Sequence, residues 1–398
     1  MIQDIDNELR KHKFIVFGFD HYNTLGAIRS LGEAGFAPIA IVHTAVRPNP
    51  HLVPNSKYAS SVHIVNYVTD GYDLLLREFG EEKYMPFLFS CDDWVESCLD
   101  SHRDELINKF YFFDGSEKGI VSHYMDKDNI SKLAKECGCR IPRSETLHKG
   151  SLPQTLRYPV ITKSIKSIVG GWKKDVRICY SAEELKIAYE TIESEELLVE
   201  EFIEKKNELC LDGFSVNHGH DVCIPFQTMY LRVAPGKYGN YMELIPFKNE
   251  EVKNQVNAIL SRVGFNGIFS VEFLIDKNDS LYFLEVNFRN STWSYAFTYG
   301  GVNMLYEWAK ATLTGSLESE SMKPRKSPFT AMVEPVDFKD FVLHGNVPIF
   351  RWLQELKKTD CLFYYVKSDK RPVVAHCKHI VNRYFKKLLY KVLRLNFK

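Results

Sequence analysis

Apolar runs and helical repeats alternate through the first hundred residues. Several apolar runs have the length and composition of buried strands, at residues 13–19, 38–42, 62–65 and 85–90. Segments between them carry apolar side chains at helical spacing, at residues 24–34 and 71–79. Strands that alternate with helices favour a parallel sheet covered by helices on both faces. Residues 1–120 are therefore predicted to form a doubly wound α/β domain.

Polar residues follow two of these predicted strands. Residues 18–23 and 90–94 come directly after strand runs, at the carboxyl edge where open α/β sheets bind ligands. We expect Asp92 and Asp93 either to face a substrate or to cap a helix. The turn after the first strand lacks G-x-G-x-x-G, so dinucleotide binding is not indicated.

The pattern becomes mixed α+β after residue 120. A helix is predicted from residue 126 to Gly138. Strands are predicted at residues 159–163, 176–179 and 197–203, with one more helix at residues 181–192. Long strands, a helix at residues 250–263 and a hairpin come next. The predicted units are a small subdomain, a catalytic subdomain and a C-terminal extension, at residues 121–203, 204–315 and 316–398.

Bulk composition excludes several classes of protein. The chain has 398 residues, of which 45% are hydrophobic and 13% aromatic, as in globular proteins. Lys plus Arg equals Asp plus Glu at 51 each, which argues against a dedicated nucleic-acid binder. The acidic start of the chain lacks the features of a signal peptide, and nine scattered cysteines suit a reducing compartment. We expect a cytoplasmic protein.

The hairpin at residues 270–289 carries the most informative side chains. Glu272 lies on its first predicted strand, and Glu285 and Asn287 lie two apart on the second. Residues two apart on a strand share a face, so these three side chains are expected to converge. Two carboxylates and an amide oxygen suit Mg²⁺, with Mn²⁺ as an alternative. Arg289, two residues further on, adds a permanent cation; an ordinary hairpin with solvated acids is the alternative.

An acidic residue followed by Glu-x-Asn on a hairpin resembles the metal-binding hairpin of the ATP-grasp superfamily. The resemblance covers roughly residues 13–315 and implies a two-subdomain ATP-grasp fold after the N-terminal domain, with ATP as cofactor. It implies that Lys163 and Lys127 bind ATP phosphates. It also implies that residues 164–175, with Gly170 and Gly171, form a lid over them. Each lysine alone is more typical of a solvated surface.

The strand at residues 197–203 resembles the hinge between the two ATP-grasp subdomains. The resemblance implies that its backbone binds the adenine edge and that an acid a few residues later binds the ribose. Glu208 fits that acid, although the spacing is one residue longer than in some relatives. The residues near adenine are then Glu200, Glu201, Phe202 and Ile203. A sheet strand followed by a charged turn is the alternative.

Residues 283–303 and the Gly239-Asn240-Tyr241 sequence are similar to the carboxylate–amine ligase branch, which includes D-aspartate ligases. Phe288 departs from the proline that many members have there. The resemblance implies an acyl phosphate formed with ATP, with Arg289 and Lys163 in catalytic roles. Substrate contacts are expected at Asn240, Ser291 and, independently, at Arg232, which could grip a carboxylate or form a surface ion pair.

The expected partners are a small-molecule carboxylate and an amine, such as an amino acid and a cell-envelope precursor. Two alternatives remain: an ATP-binding regulatory or scaffold protein without catalysis, and an ATP-grasp enzyme acting on bicarbonate or another non-amino-acid carboxylate. Residues 378–398 carry basic and apolar side chains and no acid. This tail is predicted either to lie on the inner face of the membrane or to dock on the protein.

Overall fold

The computed structural model describes the backbone of residues 2–165, 175–233, 238–317 and 320–395. Side chains are described for these residues between positions 5 and 384. The nine cysteines all lie within this part of the chain and are free thiols. The mixture of α/β and α+β structure predicted from the sequence is confirmed.

The N-terminal part forms a parallel sheet in the order β3-β2-β1-β4. Its elements are α1 (Ile2–Leu9), β1 (Phe14–Phe19), α2 (Tyr22–Glu33), β2 (Ile39–His43), a 3-10 turn (Val53–Asn55), β3 (Ser61–Val65), α3 (Val68–Phe79), β4 (Phe87–Ser90), α4 (Asp93–Ser101) and α5 (Arg103–Leu106).

The alternation of β1 explains why helices cover both faces of this sheet. Phe14 and Val16 point into a core shared with α2 and the rest of the protein. Ile15 and Phe17 point into a separate core formed with α3 and α4. Successive strand residues face opposite sides, so a strand that is apolar throughout needs a cover on each side. The doubly wound arrangement follows from this.

The next segment forms a small antiparallel sheet in the order β5-β8-β6-β7. Its core contains Val160, Leu185 and Leu197, which pack helix and sheet together. The elements are α6 (Ile120–Tyr124), α7 (Lys127–Glu136), β5 (Ser144–His148), β6 (Val160–Ser164), β7 (Arg177–Cys179), α8 (Ala182–Tyr189) and β8 (Glu196–Glu201).

A second, larger sheet has the order β13-β12-β9-β10-β11-β14-β15 and is antiparallel except at its last pair. It places the hairpin of β12 and β13 at one edge, and two short strands of the predicted C-terminal extension at the other. Its elements are β9 (Lys205–Val216), β10 (Asp221–Tyr230), β11 (Tyr241–Pro246), α9 (Glu250–Val263), β12 (Gly267–Asp276), β13 (Leu281–Asn287), α10 (Ser294–Gly300), α11 (Met304–Thr314), β14 (Phe329–Met332), α12 (Glu334–Asp337), a π turn (Phe338–Val342), α13 (Ile349–Lys358), β15 (Cys361–Leu362) and α14 (Arg371–Leu395).

A buried ion pair attaches the C-terminal segment to the N-terminal domain. Arg29 Nε donates to Asp369 Oδ2 at 3.0 Å, and both side chains are fully buried. Arg29 also donates to the carbonyl oxygens of Phe363 and Tyr364, so its charge is well satisfied. Asp369 accepts from Ser56 Oγ and the Lys57 amide. The start of α14 is thereby held against the domain. Among the described residues, no helix has the length and apolar character needed to cross a membrane.

Candidate active site

The predicted hairpin brings the three candidate metal ligands together. Glu272 of β12 lies directly opposite Glu285 of β13, and Ser270 lies opposite Asn287. Cross-strand partners project from the same face, so the two carboxylates and the amide converge there. Asn287 Nδ2 donates to Glu272 Oε1 at 3.3 Å.

Negative charge is in excess at this face. Burial, followed by the charges of Glu285 and Glu208, raises the pKa of Glu272 well above its usual value. Burial likewise raises the pKa of Glu208, which lies on the neighbouring strand β9. Lys127 Nζ, 3.2 Å from Glu285 Oε2, lowers the pKa of Glu285. Lys127 pairs with Glu285 and Lys205 pairs with Glu208, whereas Glu272 is in no ion pair among the described residues, so this face has capacity for a further cation.

Arg289 joins the hairpin to the N-terminal domain. Its Nη2 donates to Asn287 Oδ1 at 3.0 Å, and its Nε donates to Asp93 Oδ1 at 2.9 Å. Burial opposes its charge, but Asp93 raises the pKa of Arg289, so the guanidinium stays protonated. Asp92 has the capping role, accepting from the Val95 amide at 3.0 Å. Asp93 instead lies beside the site.

The predicted nucleotide residues form charged pairs along the strands. Lys163 donates to Glu200 across the β6–β8 pair. Lys205 Nζ lies 2.7 Å from Glu208 Oε1. Glu201 accepts from Arg143 Nε at 3.1 Å on the other side of β8. These pairs hold carboxylates and ammonium groups where a nucleotide could exchange partners with them.

One large cleft of about 2500 Å³ is bordered by the predicted nucleotide residues Lys163, Glu200, Glu201 and Glu208. It runs past the hinge, where Phe202 and Ile203 line it, and reaches Glu272 and the ends of the N-terminal strands. Lys127, Glu285, Asn287 and Asp93 line a small cavity beside it. A cleft of this size between domains can hold a nucleotide together with a second molecule.

The predicted substrate residues are not brought together. Arg232 pairs with Asp337 at 2.8 Å and Glu355 at 2.5 Å and does not line the cleft, so its geometry favours the ion-pair alternative. Asn240 is buried, with its Nδ2 3.5 Å from Asp340. Ser291 is also buried, and its Oγ accepts from the Trp293 amide at 3.1 Å. Gly170 and Gly171 lie outside the described residues, as does most of the predicted lid.

One charged residue that the sequence analysis did not select lies beneath the site. Asp212 of β9 is fully buried opposite Ser270. Burial raises its pKa to about 6, while Ser291, Ser270 and Arg289 act in the opposite direction. The sequence feature that could have identified Asp212 is its place inside an otherwise apolar strand. A buried strand position rarely tolerates a charge without a local partner, so an aspartate there indicates a specific role.

Comparison with known proteins adds independent information. The model of the ATP-grasp domain matches residues 132–292, which include Lys163, the hinge, the hairpin and Arg289. Lys127 lies just outside the match. The chain is 24% identical to D-aspartate ligase of Enterococcus faecium (strain Aus0004) over 338 residues, which cover 76% of this chain and 77% of that protein.

Solved structures share the fold. An L-amino acid ligase from Bacillus licheniformis superposes with a TM-score of 0.60 at 15% identity, over 80% of this chain and 78% of that one. N5-carboxyaminoimidazole synthetase from Staphylococcus aureus gives a TM-score of 0.62 at 16% identity, over 84% and 86%. The ATP-grasp domain predicted from the hairpin, the lysines and the hinge is confirmed by the match to the domain model.

Proposed function

We propose that this protein, an ATP-dependent ligase of the ATP-grasp superfamily, joins a small-molecule carboxylate to an amine through an acyl phosphate and releases ADP and phosphate. The observation that carries the proposal is the convergence of Glu272, Glu285 and Asn287 on one face of the hairpin, with Arg289 bonded to Asn287. A permanent cation such as Arg289 beside candidate metal ligands is typical of a site that transfers a phosphoryl group rather than one that only stores a nucleotide.

The nucleotide would lie along the hinge. Residues 200–203 line the cleft and offer backbone groups to an adenine edge, and Glu208 offers a carboxylate to the ribose hydroxyls. Lys127 and Lys163 would turn from Glu285 and Glu200 towards the phosphates. Lysine suits this role because its ammonium group is a point charge on a mobile stem.

The donor set fits a divalent metal ion that comes with the nucleotide. Glu272, Glu285 and Asn287 would hold it, and we propose Mg²⁺, with Mn²⁺ as the alternative. Among the described residues, no cluster of three or more His, Cys, Asp or Glu side chains is suited to bind a metal. Phosphate oxygens would therefore complete the shell, as is usual for Mg²⁺. The ion would neutralise charge on the transferring phosphoryl group.

The chemistry has two steps. A substrate carboxylate oxygen attacks the γ-phosphorus of ATP, the bond from that phosphorus to the β–γ bridging oxygen breaks, and ADP leaves. The amine nitrogen then attacks the carbonyl carbon of the acyl phosphate and loses a proton as inorganic phosphate departs. Arg289 would stabilise the acyl phosphate and the oxyanion of the tetrahedral intermediate, because its charge is fixed by Asp93 and held in a buried position.

The similarity to D-aspartate ligase supports an amino acid as one substrate, and we propose a cell-envelope precursor as the other. We propose a cytoplasmic setting, where ATP and such precursors occur. A second candidate is phosphorylation of bicarbonate or another simple carboxylate, favoured by the likeness to N5-carboxyaminoimidazole synthetase.

The test is ADP release from the full chain with ATP, Mg²⁺ and pooled amino acids, with hydroxylamine added as a trap. An acyl phosphate yields a hydroxamate in proportion to ADP. Release of AMP and pyrophosphate would point to adenylation and would overturn the mechanism. ADP release that depends on bicarbonate and not on amino acids would support the second candidate. ATP binding without turnover under any of these conditions would leave a regulatory or scaffold protein.

A further inference from the structure

The end of the cleft furthest along the N-terminal domain is lined by cationic and imidazole side chains. They come from the loop after β2, from α14 and from the π turn, and they are Arg47, His51, His376, His379, Arg383 and Lys339. None of them belongs to the hinge or the metal-binding hairpin. This cluster is separate from the cations proposed to bind ATP phosphates, which are Lys127 and Lys163.

The cluster is built on buried supports. Asp20 is buried and accepts from the Leu52 and Val53 amides and from the His51 amide at 2.6 Å. It thereby fixes the loop that carries Arg47, whose Nη1 donates to the Asp20 carbonyl at 3.1 Å. A site whose backbone is already fixed loses little entropy on binding a ligand.

Helix α14, which faces this loop across the cluster, is also fixed by buried contacts. Asp369, just before α14, is tied to the N-terminal domain through Arg29 and Ser56. His376, His379 and Arg383 follow at intervals of three and four along α14 and so share one face. His51 Nε2 lies 3.0 Å from His376 Nδ1, and the His51 ring stacks on that of His379 with centroids 4.0 Å apart.

Within the part of the chain that the structure describes, the permanent cations at this end are not held in ion pairs by the acids near them. Among the described residues, no carboxylate lies within 4.0 Å of Arg47, Lys339 or Arg383, whereas Asp20 Oδ2 lies 3.6 Å from His51 Nδ1. The acids nearby are used elsewhere: Asp20 by the loop amides, and Glu334 by the amides of residues 363–365. Asp340, near Asn240 and next to Lys339 in the sequence, also lines the cleft. Burial, with the charges of His51, His379 and Arg47, lowers the pKa of His376 to about 4.

The cluster is electrostatically close to the reacting centre. His21 and Tyr22, at the end of β1, also line the cleft. After burial, the charges of both Arg47 and Arg289 lower the pKa of His21. His21 therefore lies in the cleft within the electrostatic reach of both Arg47 of the cluster and Arg289 of the hairpin.

We infer that this cluster binds the phosphate group of a phosphate-bearing substrate, a phosphomonoester or diphosphate, whose reacting group reaches Arg289. Two arginines and a lysine suit a doubly charged phosphate better than a single carboxylate. The inference rests on the proposed function, because it identifies the class of the second substrate.

The experiment is calorimetric titration of glycerol 3-phosphate into the full chain saturated with Mg–ADP, with glycerol as the uncharged analogue. Wild-type protein should bind the phosphate and not glycerol. The double variant Arg47→Ala, Arg383→Ala should bind it at least about tenfold more weakly, whereas Arg47→Lys, Arg383→Lys should retain part of the affinity. The matched control is Arg77→Ala, Arg262→Ala, which removes two exposed arginines elsewhere and should bind as wild type.

Equal binding by wild type and the alanine variant, or no binding by wild type, would overturn the inference. Vesicles of phosphatidylglycerol form the second arm. Vesicle binding that needs Arg47 and Arg383, without binding of glycerol 3-phosphate, would assign the cluster to a lipid surface and also overturn it. Mg–ADP affinity, measured in the same variants, should stay unchanged. A wild-type protein that fails to bind Mg–ADP would instead contradict the proposed function.

Discussion

Lys127 Nζ lies 3.2 Å from Glu285 Oε2, at the junction of α7 and the metal-binding hairpin. The pair joins a cation proposed to bind ATP phosphate to a carboxylate proposed to bind the metal. The charge of Glu285 raises the pKa of Lys127, and Lys127 lowers that of Glu285. Each group therefore keeps the other ionised until nucleotide and metal arrive, which leaves the site ready to bind both.

Lys127→Ala is predicted to weaken ATP binding and turnover together. The variant removes a phosphate contact and leaves Glu285 without its closest cation, so kcat/KM for ATP should fall by roughly tenfold to a hundredfold. Steady-state ADP release measures this. Lys132→Ala is the matched control, because Lys132 is exposed on the same helix and pairs with Asp128 at 2.6 Å. Equal kinetics in the two variants would contradict a phosphate role for Lys127.

Glu285→Ala is predicted to abolish most activity without unfolding the protein. The site is a cleft rather than a core, so removal of the carboxylate should leave circular dichroism and the melting temperature near those of wild type. Loss of a metal ligand should reduce kcat by at least about a hundredfold. Asp279→Asn tests the specificity of this loss, because Asp279 is an exposed acid of the same hairpin that pairs with Lys206. Wild-type turnover by Glu285→Ala would remove the central assignment.

Glu272→Gln is predicted to stabilise the nucleotide-free protein while it destroys function. The pKa of Glu272 is raised in the folded state, so the stability it contributes is complete below its unfolded pKa near 4.5 and is lost as pH rises through the folded value. Glutamine at position 272 cannot ionise, so the variant does not lose this stability as the pH rises. Its melting temperature should match wild type near pH 4.5 and exceed it at pH 8 by a difference worth about 1 kcal/mol or more.

Thermal melts of wild type, Glu272→Gln and Glu243→Gln across this pH range make the comparison. Glu243 is an exposed glutamate on β11 and should show no such divergence. A Glu272→Gln protein that is less stable than wild type at pH 8 would indicate that the carboxylate is satisfied without a metal ion.

The sequence predicted the parts of the fold that are encoded locally. The period-two pattern and the polar turn located the hairpin, and the paired residues Glu272 and Glu285 follow from it. The apolar runs located the parallel sheet. Strands β14 and β15 were missed because segments of four and two residues are too short to show a pattern.

The rest of the site depends on contacts between residues far apart in sequence. Asp93 and Arg289 are 196 positions apart, and nothing local to either indicates that they meet. The same holds for His51 and His376, which are 325 positions apart. Asp212 can be recognised in the sequence as an acid inside an apolar strand. Its role, however, depends on Ser270 of the neighbouring strand β12, which the local sequence does not indicate. Such pairings are fixed by the packing of domains, for which periodicity carries no information.

The C-terminal tail is predicted to bind anionic membranes. Residues 385–398 contain Lys386, Lys387, Lys391, Arg394 and Lys398 and no acid. Each cation near an anionic surface contributes about 1 kcal/mol. Upstream on α14, Val381 and Tyr384 are exposed, so this part of the helix presents apolar side chains to solvent.

A truncation after Tyr384 tests this without disturbing the cleft, because His376, His379 and Arg383 remain. Full-length protein should sediment with vesicles containing phosphatidylglycerol and not with neutral vesicles, and the truncated protein should stay in solution with both. The binding should weaken at high salt, since exposed charges are screened. Equal sedimentation of both proteins, or of neither, would leave a helix docked on the protein and would remove the tail as a route to a membrane-borne acceptor.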